Sequence, residues 1–263
     1  MRGAATAVTL LLAAPAMLAA GCGSSSSANG SSAAQGGTLN VFAASSLTEA
    51  FTELAPTFES QNPGWKVRLN FLGSDELAAQ IEQGIDADVY AAASAKYPEQ
   101  LQGEKMLGDT TDFATNTLVL ITPKDNPAGI HSVQELTKGA KLVVGDPAVP
   151  IGSYTETVLA NLGIDPSSLN IVSKEDKVKG IATKVSLGEA DAGFVYTSDA
   201  NALGDSVNVI ELPATAQATA VYPMGIVTAS GNKEAAQRWI DLVMSSQGQD
   251  VLTSHGFGPA PSG

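Results

Sequence analysis

Short apolar runs alternate with amphipathic stretches along most of this chain. Residues 39–43 read as a buried strand, and apolar residues at 47, 50, 51, 54, 55 and 58 then follow a helical period. Ser46 stands at the join, and Ser46-Leu47-Thr48-Glu49 has the spacing of a capping box. Pro56 falls inside the helical pattern, where it is expected to kink the helix or weaken its second half. Val67, Leu69 and Phe71 alternate as a strand, and Gly73-Ser74 leads into a helix over 75–83 with Leu77, Ala78 and Ile81 on one face. Further strands are expected at 87–92, 116–122, 141–144, 192–196 and 207–212, with an apolar run over 222–228. Helices are expected at 131–136, from 153 on, at 178–187 and at 233–244. Ser132/Glu135, Ser153/Glu156, Ser173/Asp176 and Asn232 supply their expected caps. Strand and helix in regular alternation predict an α/β fold with mostly parallel sheets.

The first residues follow another pattern. Arg2 precedes an apolar stretch over 4–20, and Leu18-Ala19-Ala20-Gly21-Cys22 follows. Residues 1–21 thus read as a secretory signal. The ending resembles a lipobox, which implies cleavage before Cys22 and lipidation of that residue. Residues 22–37, rich in Ser, Gly and Ala, read as a lipid-anchored flexible tether. Cys22 is the only cysteine, so no intramolecular disulfide is expected. No second stretch approaches the roughly 20 apolar residues of a spanning helix. The expected location is extracytoplasmic, anchored to the cell membrane.

The 263 residues suffice for two modest lobes, and 44% hydrophobic with 16% charged residues is ordinary globular composition. A net charge of −13 and a pI near 4.4 argue against nucleic acid as a partner. An anionic ligand would therefore be held against the global field by local dipoles. Such dipoles are on offer at 44–46, at Gly73-Ser74, at 150–153 and near Val178, each at an expected helix N-terminus. Tyr196 ends a strand, and ligands of open α/β sheets bind beyond the carboxyl ends of strands. A plainer role is open for Ser46, as a helix cap alone. Catalytic templates fail: there is no phosphate-binding Gly-x-x-x-x-Gly-Lys loop, no His-Glu-x-x-His and no Gly-x-Ser-x-Gly elbow. His131 and His255 have no partners at metal-ligand spacing, and the five tyrosines look scattered along the chain. No enzyme is expected.

The stretches 41–47, 71–74, 87–92, 144–147, 193–200 and Tyr222-Pro223, in that order, resemble the molybdate-binding component of ABC transporters. The resemblance runs from residue 38 to the C-terminus. It implies a two-lobed class II periplasmic-binding-protein fold, with lobe I from 38–115 and 222–263 and lobe II from 116–221, joined by crossover strands. It implies molybdate or tungstate as ligand, no cofactor, a monomer, and a permease and ATPase as membrane partners. Ser46 and Ser74 match the family's two hydroxyl donors, Ile151 and Val178 its backbone N–H donors, and Tyr196 its phenol. The family usually has Ala where Ile151 stands, so the larger side chain bears on pocket size. A distant branch coordinates the metal octahedrally with carboxylates from lobe II. Here the matching places, Val149 and Val195–Tyr196, carry none, so a hydrogen-bonded oxyanion with no directly coordinated metal is expected. Asp75 and Glu76 are expected to complement the dipole of their helix from the solvent side. Sulfate or another small tetrahedral oxyanion is the alternative ligand, and a sensing or enzymatic domain the alternative role. A ferric site is disfavoured by the scattered tyrosines.

Overall fold

The computed structural model describes residues 36–261. The expected signal sequence, Cys22 and nearly all of the tether lie outside these residues.

Two five-stranded sheets, each flanked by helices, make up the described chain. The first half contributes β1 (Gly37–Ala44), α1 (Thr48–Gln61), β2 (Trp65–Leu72), α2 (Ser74–Glu82), β3 (Val89–Ala91), α3 (Lys96–Gly103) and β4 (Leu107–Asn116). After a single residue, Thr117, come β5 (Leu118–Pro123), β6 (Lys141–Gly145), α4 (Pro150–Asn161), β7 (Asn170–Glu175), α5 (Val178–Ser186), β8 (Ala192–Tyr196), α6 (Thr197–Leu203) and β9 (Val207–Glu211). The chain then returns through β10 (Ala220–Val227), α7 (Lys233–Met244) and α8 (Ser246–Ser254). The first sheet has the order β2-β1-β3-β10-β4 and the second β7-β6-β8-β5-β9.

Each sheet is evenly mixed rather than mostly parallel. β1 pairs in parallel with β2 and β3, whereas β10 runs antiparallel to β3 and β4. β6 likewise pairs in parallel with β7 and β8, and β5 runs antiparallel to β8 and β9. β5, which enters the second sheet, and β10, which returns to the first, cause this, because each runs against the strands joined by helical crossovers. The two crossings are tied together. Gln217 accepts from the Leu118 amide at 3.3 Å and donates to the Leu118 carbonyl at 2.9 Å, and Ala220 pairs with Asn116.

Burial explains the elements. Trp239 of α7 packs edge-on against Phe51 and Phe58 of α1, at ring separations of 5.3 and 5.7 Å, and fixes that helix against the sheet. Asp88 is fully buried and accepts from the Asn40 amide at 2.8 Å, from Ser230 Oγ at 2.6 Å and from Asn232 Nδ2 at 3.2 Å, clamping the loop before β3 to β1 and to the start of α7. A buried carboxylate needs such partners.

Several expected caps are overturned. Ser46 lies inside a 3-10 turn, Ser45–Leu47, and caps nothing; α1 opens one residue later and runs unbroken through Pro56. α4 starts at Pro150, not Ser153, because proline at the first helical position costs no hydrogen bond. Ser173 belongs to β7, and α5 is preceded by Lys177. Asn232 precedes α7 but spends its amide on Asp88 and the Thr38 carbonyl. The expected helix at 131–136 is a 3-10 segment, Val133–Lys138, without a side-chain cap from Ser132; the Glu135 carboxylate accepts from the His131 amide instead.

Candidate functional site

Five βα junctions and the end of β8 meet at one small cavity between the sheets. From the first sheet come Ala44–Ser46 beyond β1, Leu72–Ser74 beyond β2, and Ala93 beyond β3. From the second come Val149–Ile151 at the start of α4, Asp176–Val178 at the start of α5, and Tyr196. Ser46, Ser74, Ile151, Val178 and Tyr196 therefore line one cavity. Its volume is about 20 Å³, on a scale where one water needs roughly 10–15 Å³, so it suits a single small ion.

The chemistry of the lining is that of donors. Ser74 opens α2, and Ile151 and Val178 stand in the first turns of α4 and α5, where backbone N–H groups have no intrahelical acceptor. The Ser74 hydroxyl oxygen accepts from the Ala93 amide at 3.1 Å, which leaves its proton for the cavity. The Tyr90 phenol donates to the Ser74 carbonyl at 2.7 Å and holds this junction from behind. The Ser46 hydroxyl lies 3.0 Å from the Tyr222 hydroxyl. Tyr196 is 1% exposed, lines the cavity, and its hydroxyl has no hydrogen-bond partner. A buried phenol left unpaired in this way is a donor in want of an acceptor. Burial first, then the neighbouring Tyr222, Tyr154 and Asp199, pushes the Tyr196 phenol well above its ordinary pKa. It remains protonated, and so a donor, at neutral pH.

Three tyrosines distant in sequence converge here, which corrects the view that they are scattered. Tyr196 stacks edge-on with Tyr222 at 6.0 Å and with Tyr154 at 6.5 Å. Behind Tyr196, in the first turn of α6, Asp199 is 1% exposed. Desolvation raises its pKa to about 7, against a lowering by Lys179. The Lys179 ammonium lies 3.9 Å from Asp199 and pairs with Glu49 at 2.8 Å, linking α5 to α1 across the cleft. With side chains 31% and 36% exposed, Lys179 and Glu49 make a guide for closure rather than a large store of stability. The Tyr97 phenol, just before the cavity on the first-sheet side, donates to the Ala148 carbonyl on the other. Asp176 and Lys177 also line the cavity, the first exposed and the second half-buried.

Two more expectations need adjustment. One Asp75 carboxylate oxygen is buried without a partner, so this residue does not simply face solvent; Glu76 accepts from the Gly73 amide at 3.2 Å. The Ile151 side chain packs over Gly145, where its Cγ2 would stand 2.7 Å from any added Cβ. The missing Cβ at 145 thus makes room for the larger residue at 151. No cluster of three or more His, Cys, Asp or Glu able to hold a metal occurs among the described residues.

Comparison with known proteins agrees with this architecture. Residues 39–258 match the bacterial extracellular solute-binding protein family. The molybdate-binding protein ModA of Mycobacterium tuberculosis is 38% identical over 92% of this chain and 94% of its own length. The solved substrate-binding domain of a putative molybdenum ABC transporter from Clostridium difficile is 31% identical, with a TM-score of 0.67 over 85% of this chain and 99% of that one. The sulfate-binding protein SubI of M. tuberculosis shares the fold alone, at 15% identity and a TM-score of 0.76 over 84% of this chain and 86% of that one. The chain belongs, together with the ModA proteins, to the bacterial extracellular solute-binding protein family.

Proposed function

We propose that this protein binds molybdate, and tungstate equally, outside the cytoplasm and delivers it to the permease and ATPase of an ABC transporter. The observation that carries this reading is a one-ion cavity lined by donors from both sheets, with the buried Tyr196 hydroxyl still lacking an acceptor. Molybdate at neutral pH is a bare dianion whose four oxygens only accept. Hydroxyl protons from Ser46, Ser74 and Tyr196, with backbone N–H groups at Ile151 and Val178, are the proposed ligands. A buried dianion without a counter-charge is costly unless each oxygen is satisfied, and charge-assisted bonds contribute about 1.5–3 kcal/mol each. No bond is made or broken, and no cofactor enters.

The donors come from residues 44–93 on one side and 149–196 on the other, so the ion itself would hold two lobes together. We take lobe I as 38–115 with 222–263 and lobe II as 116–221, a division supported by which strands share a sheet. Calorimetric titration with molybdate, tungstate, sulfate and phosphate tests the reading. Tight binding of the first two and weak binding of the others is expected. Preference for sulfate would transfer the site to the smaller anion and overturn the proposed ligand.

The sequence around Cys22 adds a proposed lipid anchor to a protein expected to act as a monomer. In a bacterial host, Cys22→Ser is expected to leave the membrane fraction or to persist as unprocessed precursor. Fractionation and electrophoretic mobility like those of wild type would rule the anchor out.

A further inference from the structure

The loop that leads into α4 spends almost all of its N–H groups on itself and its neighbour. The Asp146 amide donates to the Glu175 carbonyl at 2.8 Å, the Ala148 amide to the Asp146 carboxylate at 2.9 Å and the Val149 amide to the Asp146 carbonyl at 3.0 Å. The Gly152 and Ser153 amides both return to the Val149 carbonyl at 3.1 Å. Pro147 and Pro150 have no N–H. The Ile151 N–H is what remains, and among the described residues no acceptor meets it. Since the Gly152 amide bonds to Val149, the Ala148 carbonyl in turn receives no donor from the helix. The Tyr97 phenol, from the opposite lobe, supplies one. A carbonyl only accepts, so the direction of this bond is fixed. Lys96 Nζ lies 3.3 Å from the Ala148 carbonyl and 3.3 Å from the Tyr97 hydroxyl, over the Tyr97 ring at 4.8 Å from its centre. Tyr97 is buried in the first turn of α3, just beyond Ala93, whose N–H meets Ser74. One bond thus ties the Ser74 side of the cavity to the loop that presents Ile151.

We propose that Tyr97 is a positioning residue whose hydroxyl, by gripping the Ala148 carbonyl, latches the closed cleft, holds the Ile151 N–H at the ion and slows the ion's release. The proposal rests on the reading of the cavity as a molybdate site between two lobes. The bond spans the lobes, so it exists only while they are together. An ion entering an open cleft does not meet it, and an ion leaving a closed one has to break it. Its loss therefore falls on the release rate and not on the rate of entry. Lys96 is exposed and is the minor partner.

The test measures release of radiolabelled molybdate by rapid filtration during a chase with excess unlabelled molybdate, and the dissociation constant by calorimetric titration. Tyr97→Phe keeps the ring and its packing. It is expected to release molybdate about 3- to 10-fold faster, with the dissociation constant raised by the same factor and the rate of entry unchanged. Asp146→Ala loosens the same loop by freeing the Ala148 amide, and should also speed release. In the double variant the effect should fall short of the product of the two, because both act through one loop. Full additivity would overturn the action through that loop. A purely structural role for Tyr97 would lower the melting temperature of the ligand-free protein and leave release unmoved. Release as slow in Tyr97→Phe as in wild type, or a change confined to entry, overturns the latch and leaves the molybdate reading intact. Failure of wild type to bind molybdate overturns both.

Discussion

Tyr196→Phe is expected to weaken molybdate binding about 10- to 150-fold with little effect on the folding of the ligand-free protein. The lost hydroxyl is one aimed at a dianion, and a charge-assisted bond of this kind contributes about 1.5–3 kcal/mol. In the unliganded protein the same hydroxyl is buried without a partner, so its removal exposes no other group and the ring still packs against Tyr154 and Tyr222. The two serines should behave differently. Each loses a comparable share of affinity, but Ser46→Ala leaves the Tyr222 hydroxyl without its hydrogen-bond partner, and Ser74→Ala leaves the Ala93 N–H without its acceptor. An unsatisfied buried group costs about 1–3 kcal/mol, so both serine variants should melt lower than wild type while Tyr196→Phe does not. Because Ser46 caps no helix, the drop in Ser46→Ala should be accompanied by loss of affinity. A lower melting temperature with unchanged binding would return Ser46 to a structural role. Unchanged affinity in all three variants would remove the proposed site.

What the sequence revealed, and what it hid, has a physical pattern. The buried strands β1, β6 and β8 and the amphipathic helix α7 are visible because burial writes itself as an apolar run or a helical period. β4 and β7 escaped notice. Both are edge strands with one partner, and Thr110, Thr111, Asp112, Ser173 and Lys174 leave too little apolar alternation to read. α8 was missed for a similar reason, since Ser246-Gln247-Gly248-Gln249 opens it without an apolar signal, although Ser245 does accept from the Gly248 amide as a cap. Cap assignments failed most often. A Ser or Asn at the right spacing is equally able to bond elsewhere, as Ser46 does with Tyr222 and Asn232 with Asp88.

For the cavity, the small residues and hydroxyls at the βα junctions carried real information. The helix starts at 150–153 and near Val178 are legible as N–H donors, but the choice of Ile151 and Val178, which offer backbone and not side-chain chemistry, comes from resemblance to a family. The groups behind the lining had no local signature. Tyr222 is 176 residues from Ser46, and Asn116 and Asp199 act through contacts made only when the two crossings fold together. Asp199 in particular reads as an unremarkable helix acid, yet burial behind Tyr196 raises its pKa to about 7.

The narrowness of the cleft makes a second experiment decisive about closure. Gly73 has φ −62° and ψ 147°, a conformation that alanine adopts without strain. Yet a Cβ at this position would stand 2.6 Å from the Asp75 carboxylate oxygen and 2.9 Å from the Asp176 carbonyl oxygen. The carboxylate belongs to a side chain and can swing away. The carbonyl is main chain of the junction between β7 and α5, on the opposite side of the cavity, and yields only if the two sides part. Gly73→Ala should therefore burden the closed form alone. Overpacking of this kind costs about 1–3 kcal/mol, which corresponds to roughly 5- to 150-fold in dissociation constant. The ligand-free protein, free to open, should be unharmed or slightly stabilised, since alanine reduces the freedom of the unfolded chain by about 0.4–1 kcal/mol. Small-angle scattering adds a direct view: wild type should contract on adding molybdate, and Gly73→Ala should contract less at equal saturation. Should the variant bind molybdate as tightly as wild type and contract as far, the approach of Gly73 to Asp176 is no part of the bound state, and the donors on the two sheets need not meet at this separation.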